Sequence, residues 1–443
     1  MSERAPTALV SPESRLVRAI GTWGLAAGIV NVTVGGGIFR LPSGVASTLG
    51  ASAPLAYLAC TIAMALIVIC FAEAGSRVSM TGGPYAYVDT AFGPLLGFVS
   101  GVMIWVCSTL AVSAVCTFFA DSLIALVPAL GTTGRGIALV LVLAVLAAAN
   151  ARGVAGMTKF NALATVAKLL PLLALVVVGL LRLNPDNLHS AVTPTAASVS
   201  RASMLLIFAF LGVESALMPS GEIRDPARTV PRAIFLAMGV VALLYVLIQI
   251  VAQGVLGGAL AGDPTPLASV AGALLGPVGR TLILLGSTLS MFVYLSGMTL
   301  ALPRMLFAFG RDGFLPARVA SVHSTWRTPH VAIALQCVVV ATLALLANFE
   351  KLAVAANVTG LLVYGACCIA AAELQRRDVR AGGTPFEVPG GRIAPWLAVG
   401  VIGWLLWQIT AQEWKAAAVV VAGALVVYAV TRSSRRARAV QPA

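Results

Sequence analysis

Long apolar runs, separated by short polar stretches, repeat along almost the whole chain of 443 residues. Most of them reach or exceed the length of about 20 residues with which an α-helix crosses the hydrocarbon core of a bilayer. Short alternating segments, which are typical of outer-membrane barrels, do not occur. The pattern predicts an all-α polytopic membrane protein with 12 transmembrane helices, near 20–48, 52–74, 92–125, 134–151, 158–182, 199–220, 229–256, 280–310, 330–347, 352–374, 393–411 and 414–432.

Two of these predicted helices are interrupted near their centres. The first contains three consecutive glycines, Gly35, Gly36 and Gly37 (the glycine triplet), and the sixth contains Gly212 and Glu214. Each glycine in a helix interior costs about 1 kcal/mol relative to alanine. The sequence therefore predicts that helices 1 and 6 are discontinuous.

The two interrupted helices are five spans apart, so they enter the membrane from opposite sides. Matching interruptions in two halves of a chain indicate an inverted repeat with a binding site near the bilayer midplane. The sequence thus predicts a 5+5 inverted repeat. The predicted parts are a cytoplasmic N-terminal segment 1–19, a first repeat 20–182, a second repeat 199–374, a helix pair 393–432 and a basic cytoplasmic tail 433–443.

Charge is scarce, and its placement predicts the orientation. Only 10% of the residues are charged, against roughly 25% in soluble proteins. Most of the 29 Lys and Arg residues fall on one side when the N-terminus is cytoplasmic, as the positive-inside rule requires. We therefore expect a multi-pass protein of the cytoplasmic (inner) membrane with both termini cytoplasmic. The net charge of +13 then favours contact with the lipid bilayer, not with nucleic acid.

Cysteine and histidine give no sign of a metal centre or of catalysis. The seven cysteines all lie in apolar runs, and the three histidines lie at span margins. No metal-ligand spacing and no catalytic cluster appears among them. We read the cysteines as small buried hydrophobes, and we expect no cofactor and no enzymatic activity.

Unwound backbone inside a bilayer must find hydrogen-bond partners, and a ligand can supply them. An amino-acid headgroup suits both interruptions. Its carboxylate matches the N–H groups at a half-helix N-terminus, here from Gly35 to Ile38. Its ammonium matches free carbonyls around Thr33 and from Phe208 to Leu211. The alternative is that the glycines serve only close helix packing.

Four stretches resemble the amino acid–polyamine–organocation transporter superfamily. "GGGIF" is similar to its span-one signature, and "FAEAGSRVSMTGGPYAYVDTAFGPLLGF" to its connection between spans two and three. "FAFLGVESALMPSGEIRDPARTVPRAI" resembles its span six, and "ALPRMLFAFGRDGFLP" its span-eight end. The matches cover roughly residues 20–330 in the right order. The resemblance, of the bacterial amino acid permease type, implies the leucine-transporter (LeuT)-like fold and transport of an amino acid or related amine.

The resemblance also implies roles for individual residues. The glycine triplet would contact the substrate carboxylate, and the carbonyls of Thr33, Phe208 and Leu211 would hold the amine. The rings of Phe208 and Phe292 would close over the substrate side chain. Ordinary core packing is the alternative for both rings.

Three ionisable residues fall inside predicted spans, where charges are costly and usually functional. Lys168 matches a span-five lysine whose ammonium, in the resemblance, stands where sodium sits in sodium-driven relatives. It would bridge span five to the span-one interruption, as a proton carrier or as a fixed ammonium. The alternative is a lysine that reaches the interface.

Glu214 and Arg40 are the other two ionisable residues in predicted spans. Glu214 resembles a glutamate that takes part in gating and proton response in arginine–agmatine antiporters, and it could instead cap a half-helix. Having both Glu214 and Lys168 mixes features of two subfamilies. Arg40 departs from the family pattern, and three roles are open: pairing with an acid, reaching the outer water, or contacting substrate.

The sequence therefore predicts a sodium-independent secondary amino acid transporter that works by alternating access. An antiporter of cationic amino acids or polyamines is the alternative within transport, suggested by Glu214. A non-transporting membrane sensor is the alternative of another class. The substrate side chain, proton coupling, the choice between uniport, exchange and symport, and the oligomeric state are left open.

Overall fold

The structure, a computed structural model, describes residues 20–440 apart from 79, 81, 153–156, 190–192, 219, 327, 381–382 and 389. In this part of the chain the regular structure is helical, with no strand and one isolated parallel β-bridge between Ile20 and Ile223. The predicted all-α class is confirmed. Pro219, which follows the second interruption, and the N-terminal segment 1–19 lie outside the described residues.

Fifteen α-helices occur in the described residues. They are α1 (Thr22–Thr33), α2 (Gly37–Leu49), α3 (Ala53–Arg77), α4 (Pro84–Phe92), α5 (Pro94–Leu126), α6 (Gly131–Arg152), α7 (Met157–Arg182), α8 (Ala196–Phe210), α9 (Val213–Ala216), α10 (Pro226–Leu256), α11 (Pro266–Arg311), α12 (His330–Leu346), α13 (Phe349–Arg376), α14 (Ala394–Leu406) and α15 (Ala411–Val440).

Many of these helices are long and apolar enough to cross a bilayer. Eight such stretches are present among the described residues: Gly37–Arg77, Pro94–Leu126, Thr133–Ala151, Ala196–Ala216, Pro226–Leu260, Pro266–Arg311, Phe349–Arg376 and Ala411–Thr431. The apolar helices α12 and α14 are shorter. The chain is therefore a multi-pass membrane protein, whereas the count of twelve spans and the inverted repeat stay predictions.

Two helices extend beyond the predicted spans. Helix α11 consists of two parts joined at the non-helical residue Gly276, which has φ of 69°. The second part begins at Pro277, close to the predicted start of span eight at 280, and the first part, from Pro266, lies in the predicted outer loop. Proline fits the first turn of a helix, where its missing N–H is not needed. The last apolar span ends at Thr431, next to the predicted 432, while α15 itself continues to Val440.

One buried core runs through most of the helices. Helix α3 packs against α10, α8 and α13, while α5 packs against α13, α11 and α12. At Gly75 of α3, a Cβ atom would lie 2.8 Å from both the Tyr87 hydroxyl and a Val230 methyl, so glycine permits the close approach of α4 and α10. All seven cysteines are buried and free, which confirms their reading as small core residues.

Candidate substrate site

The first interruption lies between α1 and α2. Helix α1 ends at Thr33, and the next helix begins at Gly37. In between, the Gly35 N–H turns back to the Thr33 carbonyl at 2.8 Å. In the described part of the chain, the N–H groups of Gly36, Gly37 and Ile38 have no acceptor. They form the uncapped, electropositive N-terminus of α2.

The second interruption lies between α8, which ends at Phe210, and α9, which begins at Val213. Gly212 adopts φ of 115°, a conformation that is open to glycine and strained for other residues. A Cβ atom at Gly212 would also lie 2.7 Å from a methyl group of Val32 on α1. Both constraints require glycine here.

The two interruptions are in direct contact. Val32 of α1 packs against Gly212, and the start of α2 packs against the end of α8. A Cβ atom at Gly37 would lie 3.1 Å from the Phe208 ring and 3.3 Å from the Ala209 Cα atom. The glycines of each interrupted helix therefore allow the backbone of the other to approach, and the open N–H and carbonyl groups are brought together.

Lys168 of α7 supplies hydrogen bonds to the first interruption. Its buried Nζ atom donates to the carbonyls of Asn31 and Val34, each at 2.7 Å. A continuous helix would satisfy the Asn31 carbonyl with the Gly35 N–H, which is directed elsewhere. The ammonium replaces that missing donor, so the predicted contact between span five and the span-one interruption is present. The role of Lys168 in coupling stays a prediction.

Tyr245 of α10 joins the two interruptions, a role that was not predicted from the sequence. Its hydroxyl lies 3.0 Å from the Thr33 carbonyl and 3.0 Å from the Ala209 carbonyl. The Thr33 carbonyl, which was predicted to hold the substrate amine, thus accepts the Gly35 N–H and also faces the Tyr245 hydroxyl, so both of its lone pairs are already engaged. A tyrosine in the middle of an apolar span needs such a partner, which is the signal that could have identified it.

The residues of α11 nearest the glycine triplet are Met291 and Tyr294. A Cβ atom at Gly35 would lie 3.4 Å from the Tyr294 ring, and one at Gly36 would lie 3.2 Å from Met291. The predicted gate Phe292 is half-buried between them in sequence, but a helix turns by about 100° per residue. Phe292 therefore points away from the direction shared by Met291 and Tyr294, and its role as a gate stays a prediction.

The other predicted aromatic gate lies beside the interruptions. Phe208 is buried and packs edge-to-face on Phe349, the first residue of α13, with ring centroids 5.2 Å apart. Leu211 is also buried and is extended where α8 ends. A Cβ atom at Gly360 of α13 would lie 3.0 Å from the Leu211 side chain. Helix α13 therefore borders the second interruption.

Glu214 is buried and caps its own half-helix. Its Oε2 atom accepts the Gly212 N–H at 2.9 Å and the Tyr364 hydroxyl at 2.6 Å. A carboxylate that accepts backbone N–H groups at a helix N-terminus is favoured electrostatically. The geometry thus shows the capping contact, while a role in gating or proton response stays a prediction.

Arg40 pairs with an acid, one of its three open roles. Its Nη2 atom lies 2.9 Å from Glu350 Oε1, and its Nη1 atom donates to the Pro264 carbonyl at 2.7 Å. Since Glu350 follows Phe349, this ion pair and the Phe208–Phe349 ring contact are adjacent. Together they connect α2, α8 and α13 at the end of the bundle that the charge distribution predicts to be extracellular.

A second arginine network was not predicted. It lies at the end of the bundle opposite to Arg40, where α3 ends at Arg77. The Arg77 side chain is fully buried, and its guanidinium lies 3.3 Å from Glu73 and 2.9 Å from Glu387. Asp378 lies 3.7 Å away, and a hydrogen bond from Arg380, assisted by Arg77, holds the pKa of Asp378 below its usual value.

The partners of Arg77 other than Glu73 belong to the connection between α13 and α14. This connection is called here the inner strap (378–380 and 383–388), because the charge distribution predicts that it is cytoplasmic. The Phe386 N–H of the strap also donates to the Ser76 hydroxyl at 3.0 Å. The Phe386 ring packs on Phe235 of α10 with centroids 5.6 Å apart. The inner strap is thereby fixed to the ends of α3 and α10.

Comparison with known proteins places this arrangement in a family. Residues 20–432 match the family model described as "Amino acid permease". The methylthioribose transporter of Bacillus subtilis is 26% identical over an alignment that covers 96% of each chain.

Two further Bacillus subtilis proteins have similar identity. The branched-chain amino acid permease BcaP is 26% identical and covers 88% of each chain. The serine/threonine exchanger SteT is 26% identical over 84% of this chain and 86% of its own. The family and these relatives are transporters and not enzymes.

The Arg77 network gives a prediction about stability. Arg77→Met leaves the buried Glu73 without a counter-charge, so we expect a loss of about 3 kcal/mol in the free energy of unfolding. Glu387→Gln removes a partner whose side chain is 63% exposed, so its cost should stay below about 1 kcal/mol. Thermal unfolding of the purified variants in detergent measures both.

The control is Arg228→Met, which removes an arginine that is 76% exposed and should shift the melting temperature little. The double variant Arg77→Met, Glu73→Gln should recover part of the loss because it removes the orphaned charge. Equal losses in Arg77→Met and Arg228→Met would contradict a buried charge network.

Proposed function

Because the chain belongs to the amino acid permease family, we propose that it is a secondary transporter that carries amino acids across the cytoplasmic membrane without sodium, by alternating access. It is a transporter and not an enzyme. In this proposal the helices follow a LeuT-like plan of twelve spans with a 5+5 inverted repeat. The α1–α2 and α8–α9 interruptions are then equivalent positions of the two repeats.

The observation that carries the proposal is the contact between two open helix ends. The N–H groups of Gly36, Gly37 and Ile38 have no acceptor, and neither the Phe208 nor the Leu211 carbonyl receives a hydrogen bond in the described residues. An amino acid offers a carboxylate to the former and an ammonium to the latter. Both groups of one small zwitterion can be bound because the interruptions meet at Gly37 and Phe208.

Sodium independence is supported by the position of the Lys168 ammonium. It donates to two carbonyls of the first interruption, which would otherwise be free to coordinate a cation at membrane depth. A fixed positive charge there also disfavours the approach of sodium by direct repulsion. In the proposal, Lys168 does for the α1 backbone what a sodium ion does in sodium-driven relatives.

The contacts of Glu214 favour neutral amino acids as the substrate class. One of its oxygens already accepts the Gly212 N–H and the Tyr364 hydroxyl, so part of its capacity to bind a cationic side chain is used. The names of two relatives, a branched-chain amino acid permease and a serine/threonine exchanger, also indicate neutral substrates. The alternative of a cationic amino acid or polyamine antiporter depends on the remaining carboxylate oxygen.

Alternating access is supported by the contacts at the end predicted to be extracellular. There the Arg40–Glu350 ion pair and the Phe208–Phe349 contact join α2 and α8 to α13. We propose that this layer closes the path from outside and opens when substrate is taken up. An ion pair with half-exposed partners suits this task because breaking it costs about 1 kcal/mol or less.

A ligand screen tests the substrate site. Purified protein is heated with each proteinogenic amino acid, arginine included. Ornithine, putrescine and methylthioribose complete the set of ligands. We expect neutral amino acids to raise the melting temperature by mass action. Gly36→Leu should abolish this shift, because its side chain would fill the approach to the N–H groups against Met291 and Val115.

The matched control is Gly28→Leu, since a Cβ atom at Gly28 meets nothing within 4 Å. That variant should bind as the wild type does. Stabilisation by arginine or putrescine alone would favour the antiporter alternative, and an unchanged response of Gly36→Leu would rule out this site.

Sodium replacement tests the role of Lys168. Uptake of the best ligand into proteoliposomes should be the same in sodium and in choline at fixed ionic strength. Lys168→Ala removes two charge-assisted hydrogen bonds, each worth about 1.5–3 kcal/mol. Uptake should therefore fall by at least roughly 100-fold. Added sodium should not restore it.

The exposed Lys415→Ala serves as the matched control and should transport normally. A proton current during uptake that Lys168→Ala lacks would assign proton transfer to the lysine, and its absence would assign a fixed ammonium. A wild type that needs sodium, or a fully active Lys168→Ala, would refute the proposed role.

Charge reversal tests the outer closure. Glu350→Arg should break the pair with Arg40 and shift the protein towards the outward-open state, lowering the KM for external substrate roughly twofold to fivefold. The double variant Arg40→Glu, Glu350→Arg should restore the wild-type KM. Lys351→Gln, at an exposed neighbouring position, should leave the KM unchanged. Additive effects in the double variant would show that the two residues do not act as a pair.

A further inference from the structure

Gln249 of α10 is a fully buried glutamine, and neither atom of its side-chain amide has a hydrogen-bond partner in the described residues. An amide left unpaired in an apolar environment costs roughly 2–7 kcal/mol. At membrane depth no bulk water relieves that cost. A glutamine at this position is therefore stable only if a small ligand supplies both a donor and an acceptor.

Other neighbouring groups have the same need. Gln249 lies one helical turn from Tyr245 and on the same face of α10, because residues four apart are neighbours on a helix. Tyr57 lies on α3, the helix that packs against α10. The Tyr57 side chain is also fully buried, and its hydroxyl has no partner among the described residues.

The polar side chains on this face of α10, called here the stripe (Tyr245, Gln249 and Gln253), continue towards the outer end of the helix. Gln253 lies one turn beyond Gln249, and its Nε2 atom is bound to the carbonyls of Asn187 and Gly257, both at 3.3 Å. Its Oε1 atom, by contrast, has no partner in the described part of the chain. Unused donors and acceptors thus follow one face of α10 from the interruptions towards the membrane surface.

We propose that water molecules bind between α10 and α3 at Gln249, where they bridge its amide to the Tyr57 hydroxyl behind Tyr245. Water fits because it donates and accepts at once, as the amide Nε2 and Oε1 atoms together require. A metal cation does not fit, because the Gln249 Nε2 atom offers only hydrogen-bond donors. The polar residues at this place, Tyr57 of α3 and the stripe of α10, are also uncharged.

The bound water has a structural consequence for the site. The Tyr245 hydroxyl lies within hydrogen-bond distance of one carbonyl of each interrupted helix and donates its single proton to one of them at a time. With water in place, the polar groups around Tyr245 are satisfied without pulling its hydroxyl away from Thr33 and Ala209. Gln249 then acts as a positioning residue, which affects the interruptions through Tyr245 and not by contact with substrate.

Radiolytic hydroxyl-radical footprinting with mass spectrometry tests the inference, because radicals formed from bound water label side chains that bulk water does not reach. The purified protein is irradiated in nanodiscs without substrate. We expect Tyr57 to be labelled although it is fully buried. In Gln249→Met, which keeps the side-chain length and removes both polar atoms, the labelling of Tyr57 should fall several-fold.

The matched control is Gln336→Met. Gln336 is also a buried glutamine, but both of its amide atoms have protein partners, Trp105 at 2.8 Å and Thr109 at 3.1 Å. Gln336→Met should lower the melting temperature and leave the labelling of Tyr57 unchanged. Tyr364, whose hydroxyl is bound to Glu214, should be labelled equally in all three proteins.

A dry site gives the opposite results. Tyr57 would be protected in the wild type, and Gln249→Met would raise the melting temperature because it removes an unpaired amide. Either result, or equal labelling of Tyr57 in the wild type and in Gln249→Met, would overturn the proposal. The measurement uses no substrate, so it is independent of whether the proposed transport function is correct.

Discussion

Backbone polar groups cannot remain unpaired inside a bilayer, and the centre of this protein depends on how that constraint is met. Two helices are interrupted at membrane depth, and side chains from other helices replace the lost hydrogen bonds. Lys168 binds the Asn31 and Val34 carbonyls, and Tyr245 contacts one carbonyl from each interrupted helix. The groups that are still open are therefore few and close together, which is what a small zwitterionic ligand requires.

Helix α13 is connected to the first half of the chain near both of its ends, through arginines of different character. At its start, Glu350 pairs with Arg40 of α2, and both side chains are partly exposed. After its end, the inner strap meets Arg77 of α3, which is fully buried and also paired with buried Glu73. Separating partly exposed charges costs little, whereas leaving a buried charge unpaired costs several kcal/mol. The connection at Glu350 can therefore open more readily than the connection at Arg77.

The sequence was most informative where one residue type breaks a pattern. Three glycines in an apolar run marked the first interruption, and a lysine far from either end of its span marked a residue that needs buried partners. Both inferences depend on a local anomaly, and the interruption and the lysine contact are found where these residues stand.

The sequence was uninformative where the chemistry depends on what a side chain faces. Tyr245 and Tyr294 look like ordinary aromatic residues of apolar spans, and nothing local shows that one reaches two carbonyls and the other the glycine triplet. Phe292 was favoured over its neighbours because the register of a long helix is not encoded near the residue itself. The contact of Arg77 with the inner strap was missed because its strap partners, Val379 and Glu387, lie more than 300 residues away in sequence.

The wide sequence separation of these partners also constrains how the protein is made. The first interruption is synthesised early, but the lysine that satisfies the Val34 carbonyl comes 134 residues later and the tyrosine that contacts Thr33 comes 212 residues later. Until then, the nascent first span has exposed carbonyls that hydrocarbon cannot accommodate. During biosynthesis this segment must therefore wait in the translocon or at the lipid–water interface. It can enter the bilayer fully only when the later helices that carry these partners have been inserted. The centre of the protein is therefore completed late, although its first segment is translated first.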